Sequence, residues 1–172
     1  MKLAGSLAAA LCAVGVAQAA PTPTASPPAS PVPAARGPAL DVSVEAAQEA
    51  IRFCAAKGFN VSVSVVDSAG VLKVLLAADG AHSRGVHSST NKAVTALTFR
   101  NSTSALEQQA RGDATLAEKI AANPNFNTRA GGVLLQVGSE VIGAIGVGGA
   151  RGSENDEACA LAGIEKIKDR LK

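Results

Sequence analysis

Apolar residues in the first part of the folded region recur with the spacing of one helix face. Between Ser43 and Gly58 they are Val44, Ala47, Ala50, Ile51, Cys54 and Ala55. A period of about 3.6 residues is typical of an amphipathic α-helix. Ser43 is of a type that caps helices, and Lys57 with Gly58 is a common stop. The pattern predicts a first helix over residues 43–58.

Two other segments are strand-like on both sides of a short turn, and Val61, Val63 and Val65 of the first alternate with serines or valine. In the first, residues 61–66 and 71–77 flank a turn at residues 67–70. In the second, Gly132–Val137 and Val141–Val147 flank a turn at Gly138 and Ser139. These patterns predict two β-hairpins, the first with one buried face.

Helical spacing returns between and after the hairpins. The predicted helices are Ser88–Arg100, a short helix capped by Ser102 or Thr103, Thr115–Ala122, and a closing helix from Ser153 to Leu171. Ser104 and Glu107 also match a capping box. The order helix, hairpin, helices, hairpin, helix predicts an α+β fold, in which helices flank an antiparallel β-sheet.

The first 39 residues differ in character from the rest. Residues 1–19 combine an early lysine, an apolar run and a small-residue Ala-Gln-Ala end, which predicts a cleavable signal peptide. Residues 20–39 are rich in proline and alanine and predict a disordered tether. The expected product is a secreted or periplasmic protein with one domain over residues 40–172.

The charge of the predicted domain is balanced. The chain has 16 basic and 14 acidic residues, and two of the basic ones, Lys2 and Arg36, precede the domain. Tryptophan and tyrosine are absent, and there are four phenylalanines. Without a basic block or an aromatic stacking platform, nucleic-acid binding is disfavoured.

Two cysteines follow the predicted cleavage site, Cys54 and Cys159, each in a predicted helix. An exported compartment permits a disulfide bond between them. The favoured interpretation is two separate buried side chains, because nothing in the spacing shows that the two positions meet.

The glycine-rich stretch GAIGVGGARGSENDEACA, residues 143–160, raises the question of a ligand-binding loop. A dinucleotide fingerprint also needs a following parallel strand, and the chain ends too soon for one. Glu154, Asp156 and Glu157 at the next helix start are expected to repel phosphate. Glu154 and Glu157 share a helix face and could hold a cation, although acids are also common at helix starts.

The histidines of the chain are His82 and His87, just after the first hairpin. Imidazole is a ligand for zinc, copper and haem iron, and a surface or capping histidine is the alternative. A Gly-x-Ser-x-Gly elbow, a CxxC pair and an HExxH motif are all absent from the sequence, which disfavours common hydrolytic and zinc chemistry.

Three blocks of the sequence resemble the GlcG/HbpS family of haem-binding proteins. They are VSVSVVDSAGVLKVLLAADGA, SSTNKAVTALTFRNSTSAL and GGVLLQVGSEVIGAIGVGGARGSENDEACALAGI. The resemblance implies a profilin-like sheet flanked by helices, assembly into dimers or up to octamers, and haem as the cofactor. It also implies sequestration or sensing of haem and iron outside the cytoplasm, with a sensor kinase or envelope protein as partner.

The resemblance places haem near the helix that carries KAVTA and near the TS that follows it. It implies that Lys92, Phe99 and Thr103 surround the haem, with Thr103 or a histidine as the iron ligand. Chemistry alone favours His87 as that ligand, with His82 as the other imidazole. Glu154 and Glu157 are similar to the D/E-x-x-E iron motifs of exported members, so iron ions are a second expected ligand.

Other functions stay open at this point. Cytoplasmic relatives suggest a small-molecule or corrinoid-binding accessory protein of an enzyme system, without haem. A purely structural oligomer is a third possibility. The expected enzymatic activity is none, or at most weak haem-dependent peroxidase, catalase-like or haem-degrading activity.

Overall fold

A computed structural model describes residues 35–172 of the chain. The predicted signal peptide and residues 20–34 of the predicted tether lie outside the described residues. The helices and strands are α1 (Leu40–Ala55), β1 (Ser62–Asp67), β2 (Leu72–Ala77), α2 (Ser83–Phe99), α3 (Thr103–Gly112), α4 (Ala114–Ala121), β3 (Gly132–Val137), β4 (Glu140–Gly148) and α5 (Ser153–Ile167). A short 3₁₀ helix, Lys168–Arg170, follows α5.

The two predicted hairpins join into one four-stranded sheet. Its order is β2-β1-β4-β3, and every neighbouring pair is antiparallel. Helices α1 and α5 cover one face, and α2 covers the other. Because side chains alternate along a strand, Val63 and Val65 of β1 pack under α1 and α5 while Val66 packs under α2. The predicted α+β class, an antiparallel sheet flanked by helices, is confirmed.

A disulfide bond between Cys54 and Cys159 joins α1 to α5. Their Cα atoms are 5.6 Å apart, and both residues are fully buried. The favoured interpretation of two separate cysteines is therefore wrong. The packing of α1 against α5 brings together two residues that are 105 positions apart, which no local pattern reveals.

Two glycines of β4 allow α2 to lie directly on the sheet. A Cβ atom at Gly146 would collide with the backbone of Ser89 and Ala93. One at Gly148 would lie 2.7 Å from the carbonyl oxygen of Gly85. These glycines of the GAIGVGG stretch therefore serve the close approach of a helix to a strand.

Several helix starts differ from the predicted ones. Helix α1 begins at Leu40, so Ser43 lies inside its first turn and does not cap it. Helix α2 begins at Ser83, five residues earlier than predicted. Ser102 caps α3 by accepting a hydrogen bond from the Ala105 N–H. The predicted capping of this helix by Ser102 or Thr103 is therefore confirmed, whereas the starts of α1 and α2 were predicted too late.

The end of the predicted tether packs against the domain. Pro38 is buried. The Ser68 N–H donates a hydrogen bond to the carbonyl oxygen of Arg36 at 2.8 Å, and the Arg36 N–H donates one to Ser68 Oγ at 2.9 Å. The Arg36 guanidinium also forms an ion pair with Glu140. Within residues 35–172, none of the helices has the length and apolar character needed to cross a bilayer.

Candidate functional site

The N-termini of α2 and α5 border a cavity of about 480 Å³, which we call the arginine cavity. It is lined by His82, Arg84, Gly85, Ser88, Lys92, Asn127, Arg129, Gly149, Ala150, Arg151, Gly152, Ser153 and Asp156. The first five residues lie on α2 or, for His82, just before it, and the last six come from the β4–α5 loop and α5. The volume lies in the range of small-molecule sites, which is about 300–1,000 Å³.

A buried ion pair between Lys92 and Asp156 lies at the base of the arginine cavity. Lys92 Nζ is 2.7 Å from Asp156 Oδ2 and donates a second hydrogen bond, at 3.0 Å, to the carbonyl oxygen of Val147. Asp156 Oδ1 accepts a hydrogen bond from the Ala150 N–H at 2.9 Å. The pair therefore ties α2 to the end of β4, to the loop that follows and to α5.

The surroundings of this pair disfavour both of its charges. Burial lowers the pKa of Lys92 and raises the pKa of Asp156, because each charged group loses its hydration inside the protein. Their mutual attraction acts against both shifts, and the nearby charge of Arg129 lowers the pKa of Lys92 further. The ion pair persists because hydrogen bonds from Lys92 and Ala150 satisfy the carboxylate.

Three exposed arginines surround the cavity above this ion pair. Arg84 lies in the first turn of α2, Arg129 in the loop before β3, and Arg151 in the β4–α5 loop. Within residues 35–172, none of the three forms a salt bridge. Asp156 is the single carboxylate in the lining, and Lys92 already neutralises it. The cavity therefore carries an uncompensated positive charge.

A second cavity of about 450 Å³ adjoins the first. The two share His82, Gly149 and Arg151, and the second adds Phe59 and Asn60. The exposed His82 imidazole therefore stands between a cationic cavity and a cavity that holds a half-buried aromatic ring.

Comparison with known proteins identifies the family. A family model described as "Haem degrading protein HbpS-like" matches residues 39–165. The chain belongs to the HbpS-like family. No curated protein sequence gives a significant match.

Solved structures of HbpS-like proteins share this fold. A double mutant of HbpS from Streptomyces reticuli, in which two glutamates are replaced by aspartate, is 30% identical, with a TM-score of 0.71. The alignment covers 83% of this chain and 97% of that one. A PduOC–haem complex is 23% identical, with a TM-score of 0.70, over 76% of this chain and 95% of that one. The ORFY protein of Klebsiella pneumoniae is 21% identical, with a TM-score of 0.72, over 84% and 98%.

Two of the predicted haem-site residues meet at the arginine cavity. His82 and Lys92 both line the arginine cavity. His87 is exposed on α2 and contributes to the lining of neither cavity. The role of His87 as an iron ligand stays a prediction, and the histidine that borders a cavity is His82.

Phe99 and Thr103 line neither cavity, since Phe99 is the last residue of α2 and Thr103 is the first residue of α3. Phe99 packs edge-to-face on Phe126, with ring centroids 5.1 Å apart. Thr103 is fully buried, where its Oγ1 accepts a hydrogen bond from the Gly132 N–H at 2.9 Å. The structure thus gives both residues packing roles between α2, α3 and β3, and their contact with haem stays a prediction.

The predicted cation-binding carboxylates point to different surroundings. Glu157 Oε1 accepts a hydrogen bond from Ser104 Oγ of α3 at 2.7 Å. The Glu154 carboxylate lies beside Gly152 at the start of α5. In the described part of the chain, no group of three or more histidine, cysteine or acidic side chains is arranged to hold a metal ion. Iron binding by Glu154 and Glu157 stays a prediction.

The pairing of Lys92 with Asp156 and the cluster of three arginines were not predicted from the sequence. One signal was available for the pair: Lys92 falls on the small-residue face of α2 with Ser89, Ala93 and Ala96. A lysine at a buried position needs a partner. The arginines carry no such signal, because they come from three separate segments that meet only in the folded chain.

Proposed function

We propose that this chain is an exported haem-binding protein that sequesters or senses haem outside the cytoplasm. The observation that carries the proposal is membership of the HbpS-like family, whose family model is described as haem degrading. The 30% identity to HbpS supports it further. The homo-oligomer and the sensor-kinase or envelope partner implied by the resemblance belong to the same proposal.

The residues around the two cavities match the polar groups of haem. Haem carries two propionate carboxylates, and Arg84, Arg129 and Arg151 are cations without salt-bridge partners in residues 35–172. Arginine binds carboxylates with paired hydrogen bonds. His82 offers an imidazole, the usual haem ligand, and Phe59 offers a ring beside it. When bound, haem would supply a redox-active iron.

The lining of the arginine cavity also limits how haem would lie. Its walls are mainly polar side chains and glycine backbone, whereas cofactor sites surround apolar rings mostly with apolar residues. We therefore assign only the propionates to the arginine cavity and the ring to the surface near His82 and Phe59. The arginines would orient the haem, and His82 would bind its iron.

Export is supported by two features. The predicted signal peptide occupies residues 1–19, and a buried disulfide joins Cys54 to Cys159. Structural disulfides persist in oxidising compartments and are rare in the cytosol. A signal-peptide test is direct: the chain fused to a periplasmic reporter should be exported and should lose residues 1–19, and retention of the full-length chain in the cytosol would contradict export.

Hemin titration of the chain without residues 1–19 tests haem binding. We expect a shifted Soret band at one hemin per chain. His82→Ala should weaken binding and change the spectrum, whereas His87→Ala, a matched change on the exposed face of α2, should leave both unchanged. If only His87→Ala alters the spectrum, His87 is the iron ligand and His82 is not. No Soret shift in the unmodified protein would overturn the proposal in favour of the alternative without haem.

A further inference from the structure

The charge of the arginine cavity exceeds what its own carboxylate can balance. Four cationic side chains line it, namely Arg84, Lys92, Arg129 and Arg151. The Asp156 carboxylate accepts hydrogen bonds from Lys92 and from the Ala150 N–H, and it forms no salt bridge with the arginines of the cavity. Positive charges held around a concave surface raise the local concentration of anions.

Backbone groups add to this positive potential. The N-termini of α2 and α5 both border the cavity, and neither has a side-chain cap, since His82 and Gly152 at the N-cap positions make no capping hydrogen bond. Uncapped N–H groups and the helix dipoles favour an anion at such ends. The Glu154 carboxylate, beside Gly152, offsets part of the positive potential at the N-terminus of α5 but not at that of α2.

The structure also weakens the expectation that acidic residues at the start of α5 repel an anion. Three acidic residues near the start of α5 suggested repulsion of phosphate. Asp156 is buried in its ion pair, and Glu157 is turned toward Ser104 of α3. Glu154 beside Gly152 and the charge of Glu157, which raises the pKa of Lys92, remain near the cavity, against three arginines without salt bridges in the described residues.

We propose that the arginine cavity is a binding site for a small organic polycarboxylate, which it takes up without haem. Guanidinium groups on three separate segments suit two or three carboxylates on one molecule better than a single one. A volume of about 480 Å³ also exceeds what one inorganic phosphate would fill. Free di- or tricarboxylic acids and the propionates of haem share this chemistry, so the experiment must separate the two sources.

Calorimetric titration of the haem-free chain with citrate, succinate, acetate and inorganic phosphate tests the proposal. We expect one citrate per chain, weaker binding of succinate, and no measurable binding of acetate or phosphate. Binding should weaken as salt is added, because the arginines are exposed. No citrate binding at low salt, or equal binding of all four anions, would overturn the proposal.

Variants locate the site. Arg129→Gln with Arg151→Gln should weaken citrate binding by about a hundredfold or more, since the loss of each charged hydrogen bond costs about tenfold or more in affinity. Arg111→Gln removes a charge in the exposed Arg111–Glu107 pair of α3 and should have no effect. Equal weakening by both changes would show nonspecific charge attraction and overturn the proposal. Thermal unfolding by circular dichroism confirms that each variant is folded.

Hemin and its dimethyl ester separate this inference from the proposed function. If propionates share the site, citrate should compete with hemin, while the ester should bind more weakly and should not respond to citrate. A Soret shift without any citrate binding would leave haem binding intact and overturn the polycarboxylate site. Citrate binding without a Soret shift would support the polycarboxylate site and overturn haem binding.

Discussion

Replacing Lys92 by methionine should destabilise the domain by about 3–5 kcal/mol, because it leaves a buried carboxylate without its partner. Lys92 is 1% exposed and Asp156 is 3% exposed, so little water can replace the lost interaction. Asp156 would keep its hydrogen bond from the Ala150 N–H, while the Val147 carbonyl would lose the one from Lys92. Changing Asp156 to leucine as well removes both charges and should recover most of the loss.

Urea unfolding measures this effect. Far-ultraviolet circular dichroism is the suitable probe, because the chain has no tryptophan or tyrosine. Lys119→Met, on the exposed side of α4, is the matched control and should stay within about 0.5 kcal/mol of the unmodified protein. A loss below about 1 kcal/mol for Lys92→Met, or a double variant no more stable than the single one, would contradict this prediction.

The same pair predicts a pH dependence. Burial raises the pKa of Asp156 above 3.8, so the folded state binds more protons just above that pH and the stability contribution falls as pH rises. Burial lowers the pKa of Lys92 below 10.5, so the unfolded state binds more protons just below that pH and the contribution rises with pH. The stability of the Lys92→Met, Asp156→Leu variant relative to the unmodified protein should therefore be highest near neutral pH. A relative stability that does not change with pH would contradict both shifts.

Two other predictions concern the disulfide and Thr103. Replacing Cys54 and Cys159 together by serine should lower the free energy of unfolding by about 2–5 kcal/mol, because the bond closes a long loop; the urea midpoint with and without reductant measures this, and equal midpoints would contradict it. Thr103→Val should cost about 1–3 kcal/mol, because the buried Gly132 N–H loses its acceptor. If Thr103 is only structural, the hemin spectrum of that variant should match the unmodified protein, and a lost Soret shift in a folded variant would instead identify Thr103 as the iron ligand.

The predicted fold is confirmed, whereas the predicted haem-site residues stay a prediction. Lys92 and His82 border the arginine cavity, while Phe99 at the end of α2 and Thr103 at the start of α3 do not line it. One sequence block can span two helices, so a block does not define a site. Helix α2 begins at Ser83, so His82 stands at its N-cap beside the cavity and His87 lies one turn further along the helix.

The sequence alone determined the elements and their class, because periods of 2 and about 3.6 residues are local consequences of strand and helix geometry. The hairpins at residues 62–77 and 132–148 and the closing helix all follow from such patterns. Only the tertiary structure decided that Cys54 meets Cys159, that Lys92 pairs with Asp156 and that three arginines surround one cavity. Each of these depends on which elements pack together, and packing joins residues whose separation in sequence carries no periodic signal.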